Sequence, residues 1–561
     1  MKNKNIIVVL MITFMTLGAM LGILEWKKEN SILDKKISLI IEDQKINDAK
    51  EPYLDHTGIY IPYDVVKDYL YEDIYLDKNN KRVFVDLKNR DIVLEDDSLS
   101  DFIKDNEICI NVPTKKIKDV VYVQADLLSK IFEIDIQYIE DTKTVIIDYF
   151  AQKTILGELI EEAKIKTDDV FGFKKLEKGD VVKIFGEEEN FYKVRSDKGV
   201  VGFVEKENIR AFEEESFIDK KLNKKREEFN KNGQKINIVW EYVHEKSKDL
   251  SKESKIAALD VIVPTWFSIV NDEGKVINNA DKAYVKEAHE KGYKVWGLVN
   301  NSFDPKLTSV ILNNDKLRKK VIGQLLLYAS LYDLDGINID FENIYYKDKA
   351  KLVQFVEELK DYTKKQNIVL SMDITVPSTS KRWSKVYDRE ALGRIVDYMA
   401  IMTYDEHWAS SPVSGSVASI GWVEKGVVNS LKSIPQEKIL LGLPFYTRRW
   451  KEYKDEFGKI KVESKAISMT YAKKIIDEKN ATIIWNEEAG QYYAQYNEDG
   501  AVYKIWLEDP RSIALKLSLV EKYDLAGTAA WRRGYEDAKV WAVLQEIIKK
   551  GKTYVELGFN E

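Results

Sequence analysis

Cysteine is nearly absent. Cys109 stands alone among 561 residues, so no intrachain disulfide can form and no paired-cysteine metal site exists. Histidine is almost as scarce: His56, His244, His289 and His407 are scattered, with no H-E-x-x-H among them. The usual zinc arrangements are thereby excluded, and neither a metal nor a cofactor is expected. The chain has no P-loop and no G-x-S-x-G elbow. An excess of positive charge is missing too. Lys and Arg number 87 against 94 Asp and Glu, a net charge of −7, which gives no electrostatic footing for nucleic acid.

What is present is globular in composition, 44% hydrophobic and 32% charged, and long enough for about three domains. Ile6 to Leu24 is an uncharged apolar run, preceded by Lys2 and Lys4 and followed by Glu25-Trp26-Lys27-Lys28. At about 1.5 Å per residue such a run just spans a bilayer core. Residues 1–28 therefore read as an uncleaved signal-anchor, which places the protein in the cell membrane as a single-pass chain with the rest of it extracellular. Cleavage near Gly18-Ala19 would instead give a secreted or wall-bound form.

Residues 30–150 contain an internal repeat. Ile59-Tyr60-Ile61-Pro62-Tyr63-Asp64-Val65-Val66 recurs as Val121-Tyr122-Val123-Gln124-Ala125-Asp126-Leu127-Leu128, and the register runs on from Val83 to Asp86 against Val145 to Asp148. Each copy reads strand, short helix, strand, strand, with apolar pairs at helical spacing. This α+β stalk module resembles the N-terminal domain of copper amine oxidases, without the histidine cluster that copper chemistry needs. Residues 160–212 alternate in period two around Gly179-Asp180 and Lys198-Gly199. They resemble a small all-β bacterial SH3-like barrel, which implies either a cell-wall contact or a spacer. Residues 213–234 are a charged linker.

From Lys235 the period changes to alternating strands and amphipathic helices, the mark of βα units. Eight strands are expected: Ile236–Tyr242, Val261–Phe267, Lys294–Val299, Gly336–Phe341, Ile368–Thr375, Val396–Met402, Ile439–Phe445 and Gly527–Trp531. Over residues 235–550 they make a (β/α)8 TIM barrel with an insertion between strands seven and eight, at about 451–503. Catalytic groups belong at the C-terminal ends of such strands. On the fourth strand Ile337, Ile339 and Phe341 point one way, while Asn338, Asp340 and Glu342 point the other. Two carboxyl groups on one face repel, so one holds its proton near neutral pH, as a general acid must.

The stretch Asp335-Gly336-Ile337-Asn338-Ile339-Asp340-Phe341-Glu342 resembles the active-site strand of glycoside hydrolase family 18, D-G-x-D-x-D-x-E. The departure is Asn338, which resembles the bacterial branch of spore-cortex and cell-wall N-acetylglucosaminidases. Met402-Thr403-Tyr404-Asp405, Leu443-Pro444-Phe445-Tyr446 and Ala530-Trp531 match the family at the ends of strands six, seven and eight. The resemblance implies a retaining, substrate-assisted glycosidase. In that scheme Glu342 is the acid and later the base, Asp340 orients the sugar's acetamido group, and Tyr404 steadies its carbonyl oxygen. Asn338 and Asp405 support them. Trp531 and Tyr446 contact sugar, with Trp266, Asn300, Asn301, Trp408 and Glu508 as further candidates. An amide at 338 cannot ionise, so Asp340 is expected to keep its charge, with Asn338 holding its rotamer. The expected partner is an N-acetylglucosamine-containing polysaccharide, peptidoglycan or chitin. The alternatives are a secreted chitinase and an inactive glycan-binding protein.

Overall fold

A computed structural model describes residues 37–215, 229 and 234–559, apart from 48–49, 56, 78–81, 88–96, 133, 151–152, 168–172 and 245. Residues 1–28 lie outside the described residues. Among the described residues no helix is long and apolar enough to cross a membrane, so the expected single-pass membrane placement is withdrawn.

The chain divides into two compact units, one of residues 1–72 and 114–222, the other of residues 73–113 and 223–561. In the first, Gly58–Pro62 and Val120–Gln124, the opening strands of the two repeats, pair antiparallel with each other. The hairpin Ile134–Ile139 with Thr144–Tyr149 takes Ser38–Ile41 as a parallel neighbour. The stretch from Lys153 to Glu215 forms an antiparallel sheet of seven strands around Leu159, Ile165, Val182, Val194 and Val204. Asp148 accepts from Arg195 at 2.7 Å and Lys183 at 3.0 Å. This ties the hairpin to that sheet.

The second unit is built on eight parallel strands: β1 Ile236–Glu241, β2 Val261–Pro264, β3 Lys294–Asn300, β4 Gly336–Asp340, β5 Val369–Thr375, β6 Tyr398–Met402, β7 Ile439–Pro444 and β8 Gly527–Trp531. Each pairs with the next, and β8 pairs with β1, so the sheet closes. Its interior is packed with Ile238, Trp240, Val263, Trp296, Leu298, Leu440 and Ala529. Phe229, from the charged stretch, packs edge-on against Trp296, ring centres 5.6 Å apart. Gly336 is required at the start of β4, because a Cβ there would lie 2.5 Å from the Trp296 ring. Asp335 accepts from His289, Lys294 and the Val295 N–H at 2.7–2.9 Å. Burial opposes its ionisation, but these donors prevail and hold the carboxyl below its ordinary range.

Between β7 and β8 stands the insertion, a five-stranded sheet from Tyr446 to Leu507 with one helix, Met469–Glu478. It is wider than the sequence pattern marks. The helix Asp315–Tyr332, which feeds β4, buries 13 of its 18 residues. Its outer face is covered by residues 73–113: Ile108 and Phe102 sit over Gly323 so closely that a Cβ there would meet Ile108 at 2.6 Å. Arg82 donates to Asn278 O at 2.7 Å and Asn279 Oδ1 at 2.5 Å, and Asn111 hydrogen-bonds the Tyr328 hydroxyl.

Candidate active site

β4 ends at Asp340, so Glu342 stands two residues beyond the strand. Its backbone is pinned there by Asn301, whose Oδ1 accepts the Glu342 N–H at 3.1 Å and whose Nδ2 donates to the Glu342 carbonyl at 2.7 Å. Tyr387 donates to the Phe341 carbonyl at 2.9 Å. These bonds fix the direction of the Glu342 side chain, which lines an open cleft of about 1030 Å³ together with Asp340, Asp373, Tyr404, Asp405, Tyr446 and Trp531.

The row behaves differently from the sequence expectation. Asn338 is wholly buried and does not hold Asp340. Its Oδ1 accepts from Trp240 Nε1 at 3.1 Å, and its Nδ2 donates to Ser371 Oγ and to Asp373 Oδ1, each at 2.9 Å. Among the described residues Asp340 Oδ1 is buried without a partner. Burial pushes the Asp340 carboxyl up to about 7. Glu342 is pushed up to about 8, first by burial and then by the charges of Asp340 and Asp405. Asp373 is raised as well, by burial and by Asp340. Three carboxyl groups in one buried layer cannot all ionise near neutrality. The arrangement therefore supplies a protonated acid beside a group that can carry negative charge.

β6 delivers Tyr404 and Asp405. Tyr446, at the head of the insertion, donates to Asp405 Oδ1 at 2.6 Å, and Arg448 reaches the same oxygen at 3.3 Å. The Tyr404 and Tyr446 rings meet edge to face, 6.2 Å apart. Trp531 closes the floor beside Trp240, ring centres 6.3 Å apart. Trp408 lies on the rim, 52% exposed.

Other candidates stand elsewhere. Trp266 is fully buried, donates to Ser247 Oγ at 2.9 Å and packs on Tyr284; it belongs to the core. Asn300 bonds Ser268 and the Ser302 N–H, shaping the turn after β3, and does not line the cleft. Glu508 is buried just after the insertion, paired with Lys516 at 3.0 Å and hydrogen-bonded to Gln491 and Ser512. Sequence reasoning passed over Asp373, Trp383, Trp422, Lys425 and Phe303, all on the cleft wall. Asp373 was within reach: in Val369–Thr375 the polar residues Ser371, Asp373 and Thr375 alternate as the row on β4 does.

Residues 236–536, more than half of the chain, match the glycosyl hydrolases family 18. The chain belongs to that family. Its relatives include the cortical fragment-lytic enzyme of Bacillus anthracis, 29% identical over an alignment of 319 residues that covers 54% of this chain and 73% of that protein. A glycosylase of Bacillus subtilis, YvbX, is 26% identical over 49% of this chain and 81% of its own length. Among solved structures, the C-terminal domain of a putative chitinase from Desulfitobacterium hafniense is 26% identical with a TM-score of 0.51, over 56% of this chain and 99% of that one. The spore cortex-lytic enzyme SleL of Bacillus megaterium, 21% identical over 56% of this chain and 74% of that one with a TM-score of 0.50, shares the fold. Residues 40–147 match the copper amine oxidase N-terminal domain. The protein is thus a family 18 glycoside hydrolase related to spore cortex-lytic enzymes and chitinases.

Proposed function

We propose that this family 18 enzyme hydrolyses β-linked N-acetylglucosamine in cell-wall peptidoglycan, with retention and with the substrate's own acetamido group as nucleophile. The observation that carries the reading is the pairing of Glu342, held protonated by its surroundings, with Asp340, whose buried oxygen lacks a partner. Glu342 gives its proton to the glycosidic oxygen as the acetamido carbonyl attacks the anomeric carbon and the glycosidic bond breaks. Asp340 accepts the acetamido N–H, which satisfies the orphaned oxygen and spreads the positive charge of the cyclic intermediate. Tyr404 donates to the acetamido oxygen. Glu342, now anionic, takes a proton from water, which opens the intermediate on the same face.

Relatives named for cortical fragment lysis favour the wall over chitin. A wall contact through residues 160–212 fits the same reading. The test is mass analysis of the products from purified peptidoglycan and from chitin oligomers, with NMR of the released anomer. Products ending in N-acetylglucosamine with the β configuration are expected. Initial release of the α anomer, or binding of wall fragments without cleavage at any pH, would overturn the assignment, the second in favour of a glycan-binding protein.

A further inference from the structure

The cleft is acidic with one exception. Asp340, Glu342, Asp373, Asp405 and Glu406 line it, and Lys425 is the one basic side chain among its described lining residues. Lys425 is exposed and has no ion-pair or hydrogen-bond partner among the described residues. Its neighbour in sequence, Glu424, is taken up by Lys522 and Tyr523 at 2.6 and 2.8 Å. The helix that carries Lys425, Ile420–Ser430, is firmly placed. The Glu406 carboxylate accepts the N–H of its capping residue, Ser419, at 2.8 Å. Gly426 faces Val376 so closely that a Cβ would lie 2.8 Å from it. That approach presents Trp422, Lys425 and Asn429, spaced three and four apart on one helical face, to the cleft. An indole, a free ammonium and an amide stand together on a rigid wall.

We propose that Lys425 reads a carboxylate on the glycan next to the sugar being cleaved, and so selects a chain in which uncharged and carboxylate-bearing N-acetyl sugars alternate. This rests on the glycosidase reading above. Charge sets the register. Beside the protonated Glu342, the acidic side chains of Asp340, Asp405 and Glu406 disfavour an anionic sugar, whereas an uncharged one meets no such penalty. At Lys425 the order reverses. A chitin chain offers the ammonium only hydroxyl and amide groups, no better than water, while a carboxylate offers a charge-assisted hydrogen bond. Together the two ends place under Glu342 the linkage whose anomeric carbon belongs to the uncharged sugar. The carboxylate can be borne by the sugar's own ether substituent or by a short peptide attached to it.

The test compares kcat/KM of the full chain on two soluble tetrasaccharides, chitotetraose and one of alternating N-acetylglucosamine and N-acetylmuramic acid. The native enzyme should prefer the alternating substrate. Lys425→Met should lower the ratio of the two by about tenfold or more, and Lys425→Arg should restore most of it. Raising salt should narrow the native preference and leave that of Lys425→Met unmoved. A Lys425→Met enzyme that keeps the native ratio overturns the assignment of Lys425 while leaving the glycosidase reading intact. A native protein that cleaves neither tetrasaccharide nor whole wall overturns the glycosidase reading, and this inference with it.

Discussion

Three carboxyl groups, Asp340, Glu342 and Asp373, share one buried layer, and their burial sets their chemistry before any substrate arrives. Glu342→Gln removes the proposed proton donor and should lower the rate by about 10²–10⁴. In the native enzyme kcat/KM should rise as Asp340 ionises around pH 7 and fall as Glu342 loses its proton around pH 8. The stability dependence has the opposite sign to that of a salt-bridged acid. Because the folded state holds the Glu342 proton from its ordinary 4.5 up to about 8, folding binds protons in that window and stability declines as pH rises through it. Glu342→Gln escapes that decline. Its stability should gain on that of the native enzyme between pH 5 and 8, by an amount on the order of 1–4 kcal/mol at the upper end, read as a widening Tm difference; a constant Tm difference would contradict the raised value. Asn338 makes a further test. Asp373 already receives the Asn338 amide at 2.9 Å, so Asn338→Asp puts a fourth carboxyl into the layer. Activity at pH 7 should fall, and adding Asp373→Asn should recover much of it, a coupling that a double-mutant cycle measures. Additive losses would show that 338 and 373 act independently.

The element that organises the site is the short strand β4, and its sequence is legible residue by residue. Asp335 anchors its start, Gly336 makes room for Trp296, Asn338 fills a polar pocket inside the barrel, and Asp340 emerges at the mouth. Gly336→Ala would drive a Cβ to 2.5 Å from the indole, an overpacking that should cost about 1–3 kcal/mol. Thermal melting should register it as a fall of several degrees; an unchanged Tm would mean that Trp296 moves aside freely. The helix before β4 carries its own message. Asp315–Tyr332 has apolar residues on nearly every face, and a helix of that kind is buried on both sides. The sequence thus implies a second layer over it without naming the layer.

At the scale of the whole molecule, that layer comes from residues 73–113, far away in the chain. Ile108, Phe102, Arg82 and Asn111 close over the helix and over the turn at Asn278 and Asn279. A fragment from Lys235 to Glu561 holds all eight barrel strands but exposes this face, so it should melt well below the full chain and bind apolar dyes. Arg82→Ala in the full chain is the milder version. It strips the donor from the Asn278 carbonyl and from Asn279, and should cost about 1–3 kcal/mol. Should the fragment melt as the full chain does, the covering segment contributes nothing to the barrel.

The sequence by itself determined the eight barrel strands and their order, because each rests on local periodicity, and strand alternation brings Asp340 to the mouth, while Glu342, two residues past the strand, is held there by Asn301. The doubled strand–helix–strand–strand pattern was legible for the same reason. Tertiary structure decided what depends on contacts between distant residues. It turned Asn338 toward Ser371 and Asp373 instead of Asp340, buried Trp266, and drew Asn300 into a turn. It placed Lys425 as the one basic side chain among the described lining residues of the cleft and sent residues 73–113 to the barrel. Periodicity reports which way a side chain faces; it carries no record of which distant side chain it meets, and pairing across the fold is what sets charge, partner and burial.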